Sequence, residues 1–485
     1  MITRAFFKSN SIPLLAGFTT ALLTGLLSWI AYRGNRLVGF DPHYYLEYAK
    51  QFRTEFPASF GTHWPFGFPL LATALMRLGC SAFVSMLAVL WLAWAGLIAL
   101  LWRPVFSSLG RPAAAWTAVL IFGCIPVVFI ELGALRSEIV FTLFSTAALV
   151  SLAEDDSPRA WAAAAVATTL GFTIRYAGIL GLATLGLWFL LGQPWLRDRR
   201  SAVKKISVLG ATALICAGLM AWNIFTRGYA SGAARPPGPG LAGLAEILAD
   251  LGWGGIVSFS TIGLQRALSP TAFGPVLGWA ALVVFGLIAA ISWWRPAGRY
   301  SKLFALGLAV YLAGMAVLAA TRDFDSLSNA RSFIPALPLL FVLVVEHLRL
   351  HPQKALACGL IIVVLPGLVV AVRGVSLQVA PDFRPALITL IPRLKPTDSI
   401  GVNLGAVGLS ACVDQRVTRI DDNTVPLGHY EWLVLAAERT GGRDVQPVWS
   451  PETERQSALI AASAQFAPFY QDTQLRVWRR TAPAP

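Results

Sequence analysis

Residues 12–32, IPLLAGFTTALLTGLLSWIAY, and residues 39–71, GFDPHYYLEYAKQFRTEFPASFGTHWPFGFPLL, lie close together near the start of the chain and determine its architecture. The first stretch carries no charge, and about 20 apolar residues in a row are enough for a helix to cross the hydrocarbon core of a bilayer. The second stretch is too polar to cross, but it leads into the apolar, proline-flanked segment Pro65–Leu78, which is typical of a helix lying on a membrane surface. The sequence therefore predicts a first span that leads into a long loop, residues 33–81, at one face of the membrane.

The composition of the whole chain supports the same architecture. Of its 485 residues, 56% are hydrophobic and 13% are charged, whereas an average soluble domain has about 25% charged residues. A soluble enzyme, a disordered protein and a disulfide-rich secreted domain are therefore poor interpretations. About eleven apolar runs approach the length of a span, which predicts an all-α polytopic membrane protein. These runs are Ile12–Tyr32, Ala82–Trp102, Ala113–Ile130, Ile139–Ala153, Trp161–Ile174, Ala177–Leu191, Ile206–Thr226, Thr271–Trp294, Leu303–Ala320, Phe333–His347 and Ala355–Val372.

The basic residues of the loops predict the orientation. Short loops on the side of the N-terminus carry fifteen lysines and arginines, whereas the opposite short loops carry four, namely Arg136, Arg175, Arg322 and Arg331. Since basic loops stay in the cytoplasm, we expect the N-terminus inside and, with an odd number of spans, the tail outside. Arginine outnumbers lysine by 32 to 7, a bias found in GC-rich bacterial genomes, so the expected location is the bacterial plasma (inner) membrane.

Two further regions are predicted on the outer side. Residues 227–270 form a second long loop, which opens with the flexible RGYASGAARPPGPG and continues with LAGLAEILADLGW, a short amphipathic helix. Residues 375–485 alternate apolar strands with helix-like segments, which predicts a small extracytoplasmic α/β domain beyond the membrane domain 1–374. Its strands are Ser399–Asn403, Val413–Ile420, Trp432–Ala436 and Leu475–Arg479, and its helices are Pro385–Leu394 and Ser450–Phe466.

The excess of positive charge is confined to the membrane domain. The tail from residue 375 carries 11 basic and 11 acidic residues, so the whole net charge of +14 belongs to the first 374 residues. There it serves mainly as a topology signal, and no nucleic-acid partner is expected. Cations at the ends of apolar helices on the outer side need a further explanation, such as an anionic ligand.

The first outer loop holds the richest set of polar and aromatic side chains. A carboxylate such as Asp41, at the membrane surface, can accept the proton of an acceptor hydroxyl. The alternative is a helix N-cap, since Asp-Pro followed by YYLEYAK is a good helix start. Beside it stand His43, Tyr44 and Tyr45, and further along the loop stand His63 and Trp64. All five are candidates for substrate binding, although the aromatic ones also suit a membrane anchor, and the two histidines lack the spacing of a zinc site.

A second cluster lies in the hairpin FIELGALRSEIVF, residues 129–141, between the third and fourth predicted spans. Its ionisable residues, Glu131, Arg136 and Glu138, lie at the edge of the bilayer, where such groups usually face a cavity or each other. A mutually satisfied ion pair is the simpler interpretation. Arg175 and Arg331 also interrupt apolar stretches at the outer boundary, where they either bind an anion or extend to solvent.

Taken together, these motifs resemble those of a known superfamily. DPHYYLEYA has the form Asp-x-x-Tyr-Tyr-x-x-x-Ala, and it is followed by PFGFPLL, by RSEIVF at the fourth span, by RYAGIL and by ARSFIPALPLL. In this order and on this face they are similar to the GT-C superfamily of polytopic glycosyltransferases, and in particular to the protein O-mannosyltransferase and lipid A aminoarabinose transferase type. The resemblance covers about residues 1–350. Many members have two adjacent acidic residues where this chain has Asp41 and Pro42, which leaves a divalent metal possible but not established.

The resemblance implies transfer of a sugar, hexosyl or pentosyl, from a polyprenyl-phosphate donor to a lipid, glycan or protein acceptor at the outer face, with inversion. A lipid phosphate leaves without much protonation, so one carboxylate base suffices, and Asp41 is the candidate. Arg136, Arg175 and Arg331 are candidates for the phosphate, and Glu138 either orients an arginine or is a second acid. The alternatives are a polysaccharide polymerase, flippase or transporter without Asp41 chemistry, and a receptor, which the lack of a signalling domain disfavours.

Overall fold

The computed structural model describes most of the chain. The described residues are 2–32, 40–55, 65–192, 198–230, 237–259, 273–295, 298–322, 330–347, 353, 359, 363–373, 384–395, 397–403, 406, 409–410, 412–420, 427–437 and 449–481. His63 and Trp64, two of the predicted binding residues, lie outside these ranges, as do residues 355–358 and 360–362 of the last predicted span, Ala355–Val372.

The described helices run through the whole chain. Those of the membrane domain are α1 Ile2–Tyr32, α2 Phe40–Glu55, α3 Gly67–Met76, α4 Ala82–Leu109, α5 Pro112–Gly123, α6 Pro126–Gly133, α7 Glu138–Glu154, α8 Pro158–Ile174, α9 Ile179–Gly192, α10 Arg199–Arg227, α11 Leu244–Phe259, α12 Phe273–Trp294, α13 Arg299–Thr321, α14 Leu337–His347 and α15 Leu365–Arg373. A 3-10 turn, Ala330–Ala336, leads into α14. The tail adds α16 Arg384–Leu390 and α17 Pro451–Ala462.

The helices form a polytopic membrane bundle, as predicted. Within the described ranges, seven helices are long and apolar enough to cross a membrane, or eight if α5 and α6, which meet at a bend of 57°, are one span. Six of the seven coincide with predicted spans. The predicted spans Ile139–Ala153 and Trp161–Ile174 correspond to α7 and α8, which have 17 residues each. The fold class is confirmed, while the total number of spans differs with how the shorter helices are assigned.

The second long loop differs from its prediction. The amphipathic segment extends beyond Trp253 through two glycines to Phe259, and the stretch Gly240–Phe259 has the length and hydropathy of a membrane span. The helix is therefore longer than the predicted segment LAGLAEILADLGW, and several glycines lie within it. Here the glycines allow close packing, since a Cβ on Gly252 would lie 1.9 Å from the carbonyl oxygen of Gly278 in α12. Interhelical contacts through small residues are common in membrane bundles.

Two short helices lie across one end of the bundle, where the first loop was predicted. Helix α3 covers the predicted surface segment Pro65–Leu78 and buries Phe68, Ala72 and Met76 against its neighbours. The Thr73 hydroxyl lies 3.1 Å from the carbonyl oxygen of Ala49 and donates to it, which fixes α3 against α2. We call this end of the bundle, with α2, α3 and the tail domain on it, the site face.

The tail folds into a five-stranded sheet with the order β2-β1-β3-β5-β4. The strands are β1 Ser399–Val402, β2 Arg416–Arg419, β3 Trp432–Ala436, β4 Phe466–Gln471 and β5 Leu475–Arg480. β1 pairs in parallel with β2 and β3, and β5 pairs antiparallel with β3 and β4. The predicted α/β class and four of the strands are confirmed. β4 was not predicted, since the predicted helix Ser450–Phe466 ended at its first residue. Its Pro468 is accommodated because β4 is an edge strand.

Candidate active site

Asp41 lies in the first turn of α2 and faces the bundle. Its Oδ2 accepts a hydrogen bond from Nη1 of Arg331, on the 3-10 turn before α14, at 2.9 Å. The Asp41 side chain is 19% exposed and that of Arg331 is 22% exposed, so solvent reaches the ion pair but does not surround it. Asp41 is therefore inside the helix and paired across to another element. This is the first contact that joins two of the sequence motifs.

The hairpin between α6 and α7 supplies the second set of residues. Its Leu135 is buried and has a φ of 53°, a left-handed conformation that costs a leucine roughly 1–2 kcal/mol. This turn brings the side chains on either side of it together, and Arg136 Nη1 lies 2.7 Å from Oε1 of Glu131. Glu131 is buried, and its Oε2 accepts no hydrogen bond from the described residues. The turn thus holds an enclosed carboxylate that is paired with Arg136 through one of its oxygens.

Arg175 approaches the same hairpin from the end of α8. There the backbone turns from the helix to an extended conformation, with φ −149° and ψ 134°, and the guanidinium Nη1 lies 2.7 Å from Glu138 Oε1. The same nitrogen donates to Ser137 Oγ at 3.4 Å. Glu138 is 3% exposed, whereas Arg175 is 34% exposed. The carboxylate is therefore enclosed, and the guanidinium forms the accessible side of the pair.

Tyr45 joins α2 to this second pair. Its hydroxyl and Ser137 Oγ are hydrogen-bonded at 3.0 Å. Burial raises the pKa of the Tyr45 hydroxyl, with Arg175 acting in the opposite direction, so the hydroxyl keeps its proton throughout the physiological range. On α13, the Tyr311 hydroxyl donates to the carbonyl oxygen of Ser332 at 2.7 Å, which holds the 3-10 turn beside Arg331. The two tyrosines thus fix the elements that carry Asp41 and Arg331.

The three ion pairs form one electrostatic cluster. Glu138 interacts with Arg331 and Arg136 as well as with Arg175, and Arg175 interacts with Asp41. Three guanidiniums and three carboxylates from α2, α6, the α6–α7 turn, α7, the end of α8 and the 3-10 turn therefore share one region of the site face. We call this set, Asp41, Glu131, Arg136, Glu138, Arg175 and Arg331, the charge cluster.

The other predicted residues have different positions. His43, on α2, is 1% exposed and has Lys50 and, in the tail domain, Arg419 as charged neighbours. Its burial lowers its pKa to about 3, with Lys50 and Arg419 acting in the same direction, so the imidazole is neutral at physiological pH. Tyr44 stacks at its edge, with ring centroids 5.3 Å apart. The structure does not bring His43 into the charge cluster, and a substrate-binding role for it stays a prediction.

Three residues of the site were not among the predicted ones. Glu131 was noted in its hairpin, but no role was predicted for it; its signal was an acidic residue inside an apolar run. Ser137 was noted only as part of the motif RSEIVF, without a role of its own. Tyr311 had no distinguishing pattern, because a tyrosine in a span is common. No three His, Cys, Asp or Glu side chains within the described ranges lie together as a metal site. Each carboxylate of the charge cluster faces an arginine, so this donor set does not fit a divalent metal.

Comparison with known proteins adds the fold family. No protein-family model matches the sequence, and no curated protein matches it. Among solved structures, ArnT from Cupriavidus metallidurans bound to undecaprenyl phosphate matches with a TM-score of 0.55 over 95% of this chain and 97% of that chain, at 12% identity. The fold is similar to that of ArnT, in line with the resemblance to the GT-C superfamily expected from the sequence motifs. An Archaeoglobus fulgidus oligosaccharyltransferase in the apo form also matches, with a TM-score of 0.47 and 13% identity, over 87% of this chain and 69% of that chain.

The likeness to ArnT concerns the architecture around the charge cluster. The likeness to ArnT extends over nearly the whole of both chains, so it includes the helical bundle and the tail domain together. At 12% identity it does not transfer roles to individual side chains. The function of the charge cluster therefore rests on its own geometry.

Proposed function

We propose that the chain is a glycosyltransferase that moves a sugar from a polyprenyl-phosphate donor to an acceptor at the outer face of a bacterial plasma membrane. The observation that carries this proposal is the charge cluster. It collects three guanidiniums at one end of a GT-C bundle and places a partly exposed carboxylate, Asp41, among them. The fold supports the reaction class, and the cluster supports the kind of substrate.

The arginines suit the phosphate of the donor. A guanidinium binds phosphate oxygens through two parallel hydrogen bonds, and such charged hydrogen bonds are about twice as strong as neutral ones. Arg175 and Arg331 are 34% and 22% exposed while their carboxylate partners are more enclosed. Both therefore have donor N–H groups on the side from which a ligand arrives. Two roles were expected for Glu138, orienting an arginine or acting as a second acid. Because it is enclosed and paired with Arg175, we assign it the orienting role.

Asp41 is the proposed base. Its Oδ2 is held by Arg331 at 2.9 Å, and a donor phosphate that binds Arg331 competes directly for that guanidinium. The exchange releases the carboxylate for the hydroxyl of the acceptor. In the transfer step, the acceptor oxygen bonds to the anomeric carbon and its proton passes to Asp41, while the bond from that carbon to the phosphate oxygen breaks and the electron pair leaves with the polyprenyl phosphate. A single displacement of this kind inverts the anomeric centre.

The partners follow from this chemistry. The donor is a lipid-linked sugar, hexose or pentose, whose polyprenyl chain lies among the apolar helices, and the acceptor hydroxyl belongs to a lipid, a glycan or a protein. The site face is then the outer face, with the N-terminus in the cytoplasm and the tail domain outside. Since the donor set of the charge cluster does not fit a metal, no step is assigned to one.

Transfer by purified protein tests the proposal. Labelled polyprenyl-phosphate sugars are incubated with the protein in lipid nanodiscs, and release of the label to added acceptors or to water is followed. We expect turnover with the wild type and loss of turnover, by at least about 10²-fold, in Asp41→Asn. Glu55→Gln, which neutralises an exposed carboxylate at the other end of α2, is the matched control. Full activity of Asp41→Asn removes Asp41 from the site, and transport of the lipid without cleavage favours a flippase instead.

A further inference from the structure

Helix α2 carries two different surfaces. Asp41 and Tyr45 are four residues apart and face the bundle, where they contact Arg331 and Ser137. His43, Glu47 and Lys50 follow one another at intervals of four and three, which places them on the opposite side of a helix with 3.6 residues per turn. That side faces the tail domain, and the side chains of His43, Glu47 and Lys50 are 1%, 11% and 8% exposed there. The helix is thus held between the bundle and the sheet.

Lys50 makes the main contact with the tail domain. Its ammonium group donates to Glu47 Oε1 at 2.9 Å and to the carbonyl oxygens of Ser410 and Gln415, both at 3.0 Å. These contacts use all three donors of the ammonium group. The Lys50 side chain is 8% exposed. An apolar residue in its place would therefore leave the two carbonyl oxygens enclosed and without this hydrogen-bond donor.

Glu47 completes the contact from the same turn of the helix. Its Oε2 accepts a hydrogen bond at 2.8 Å from the backbone N–H of Val417 in β2. β2 is an edge strand of the sheet, and an edge strand has backbone groups on its outer side that need partners. A side chain of α2 thus satisfies the edge of the tail sheet. Burial raises the pKa of Glu47, with Lys50 opposing the effect, so this carboxylate depends on its partners.

We propose that Glu47 and Lys50 are positioning residues through which the tail domain sets the orientation of α2 and thereby the placement of Asp41 and Tyr45 in the charge cluster. The inference rests on the proposed function, since it concerns the reaction of that site. Neither residue touches the reacting groups. Because a helix of 16 residues moves as a rigid body, a change on the tail-facing side displaces the bundle-facing side. A displacement of about 1 Å at a reacting group costs up to about 10²-fold in rate.

Lys50→Met tests the inference, since it keeps the length of the aliphatic stem and removes the three donors. We expect kcat for sugar transfer to fall about 10- to 100-fold, while the KM for the donor stays within about twofold. Lys50→Arg, which restores a cation with several donors, recovers part of the rate. The matched control is Arg53→Met, one turn further along α2, where the side chain is exposed. If Lys50→Met does not accumulate, Glu47→Gln is measured instead, with a smaller loss of kcat.

Hydrogen exchange supplies a readout that needs no activity. In Lys50→Met we expect the amides of α2 to exchange faster, while those of α4 in the bundle and β3 in the sheet keep the wild-type rate. Unchanged exchange of α2 together with an unchanged kcat overturns the inference. So does a uniform rise in exchange across α2, α4 and β3, or a rise in donor KM at constant kcat. If α2 responds as expected but the wild type transfers no sugar, the proposed function fails and the coupling of α2 to the tail domain stands.

Discussion

Arg175 and Glu138 allow the structural and the functional role of an ion pair to be separated. Glu138 is 3% exposed, and its partner is 34% exposed at 2.7 Å. Removing one partner of a buried pair costs about 3–5 kcal/mol, because the other charge is left enclosed. In Arg175→Met the two guanidiniums of Arg136 and Arg331 still act on Glu138, and the lost partner was itself partly solvated. We therefore expect a loss of about 2 kcal/mol in the free energy of unfolding.

The double variant tells the two roles apart. Glu138→Gln/Arg175→Met removes both charges, so most of the stability lost in Arg175→Met returns. Binding of polyprenyl phosphate does not return, because the guanidinium is still missing. One hydrogen bond to a charged group contributes about 1.5–3 kcal/mol, and 1.4 kcal/mol corresponds to tenfold in affinity. Both variants are therefore expected to bind polyprenyl phosphate about 10- to 100-fold more weakly than the wild type.

The assay measures both quantities on the same samples. Thermal unfolding in nanodiscs reports stability, and titration with polyprenyl phosphate reports affinity. Three outcomes refute the reasoning: wild-type affinity in the double variant, which removes Arg175 from the phosphate site; no recovery of stability in the double variant; or an Arg175→Met protein that is as stable as the wild type.

The remaining predictions concern pH, a second arginine and helix packing. Since the pKa of His43 is lowered from 6.5 to about 3, its contribution to the stability of the fold is complete above pH 6.5 and is lost as the pH falls towards 3. The protection factors of the α2 amides, which are corrected for the intrinsic pH dependence of exchange, therefore fall by up to about tenfold per pH unit below 6.5, and His43→Gln flattens this dependence. Arg331→Lys keeps a cation beside Asp41 but loses the two parallel N–H donors of the guanidinium. The donor KM is therefore expected to rise about tenfold, with kcat within about threefold of the wild type. An unchanged KM contradicts the assignment of Arg331 to the donor phosphate. Gly252→Ala places a Cβ against the backbone of α12 and is expected to lower the free energy of unfolding by about 1–3 kcal/mol. Gly286→Ala is the control: a Cβ at this exposed position of α12 would have no atom within 4 Å, so the free energy of unfolding stays unchanged.

The parts of the fold that were predictable are those that a local pattern determines. Apolar runs located most of the spans, because the bilayer requires a helix of a given length whatever its neighbours are. The start of α2 followed from Asp41-Pro42 and the residues after it. In the tail, β3 was predicted with its observed bounds, Trp432–Ala436, since both of its faces are buried and it reads as a continuous apolar run.

The pairings within the site were not predictable in the same way. Asp41 and Arg331 are separated by 290 positions, and no local pattern indicates which arginine a carboxylate meets. Tyr311 was hidden because it stands in an apolar span. The contact of Glu47 and Lys50 with the tail domain was not predictable either. In the sequence they look like an ordinary solvated pair on a helix, and only the tertiary fold buries them. Local chemistry indicated which residues carry charge at the site face, and long-range packing decided their partners.

The balance of charge in the cluster has a meaning for the proposed reaction. Three guanidiniums face three carboxylates, so the cluster is neutral before the donor arrives, although the membrane domain as a whole is strongly basic. During transfer, the phosphodiester of the donor becomes a monoester and gains one negative charge, while Asp41 takes up a proton and loses one. The total charge beside the arginines therefore stays constant through the step, and only its position moves, from Asp41 to the departing phosphate. Arg331 pairs with Asp41 before the reaction and binds the donor phosphate in the proposed exchange, so it is a cation that faces negative charge both before and after the transfer.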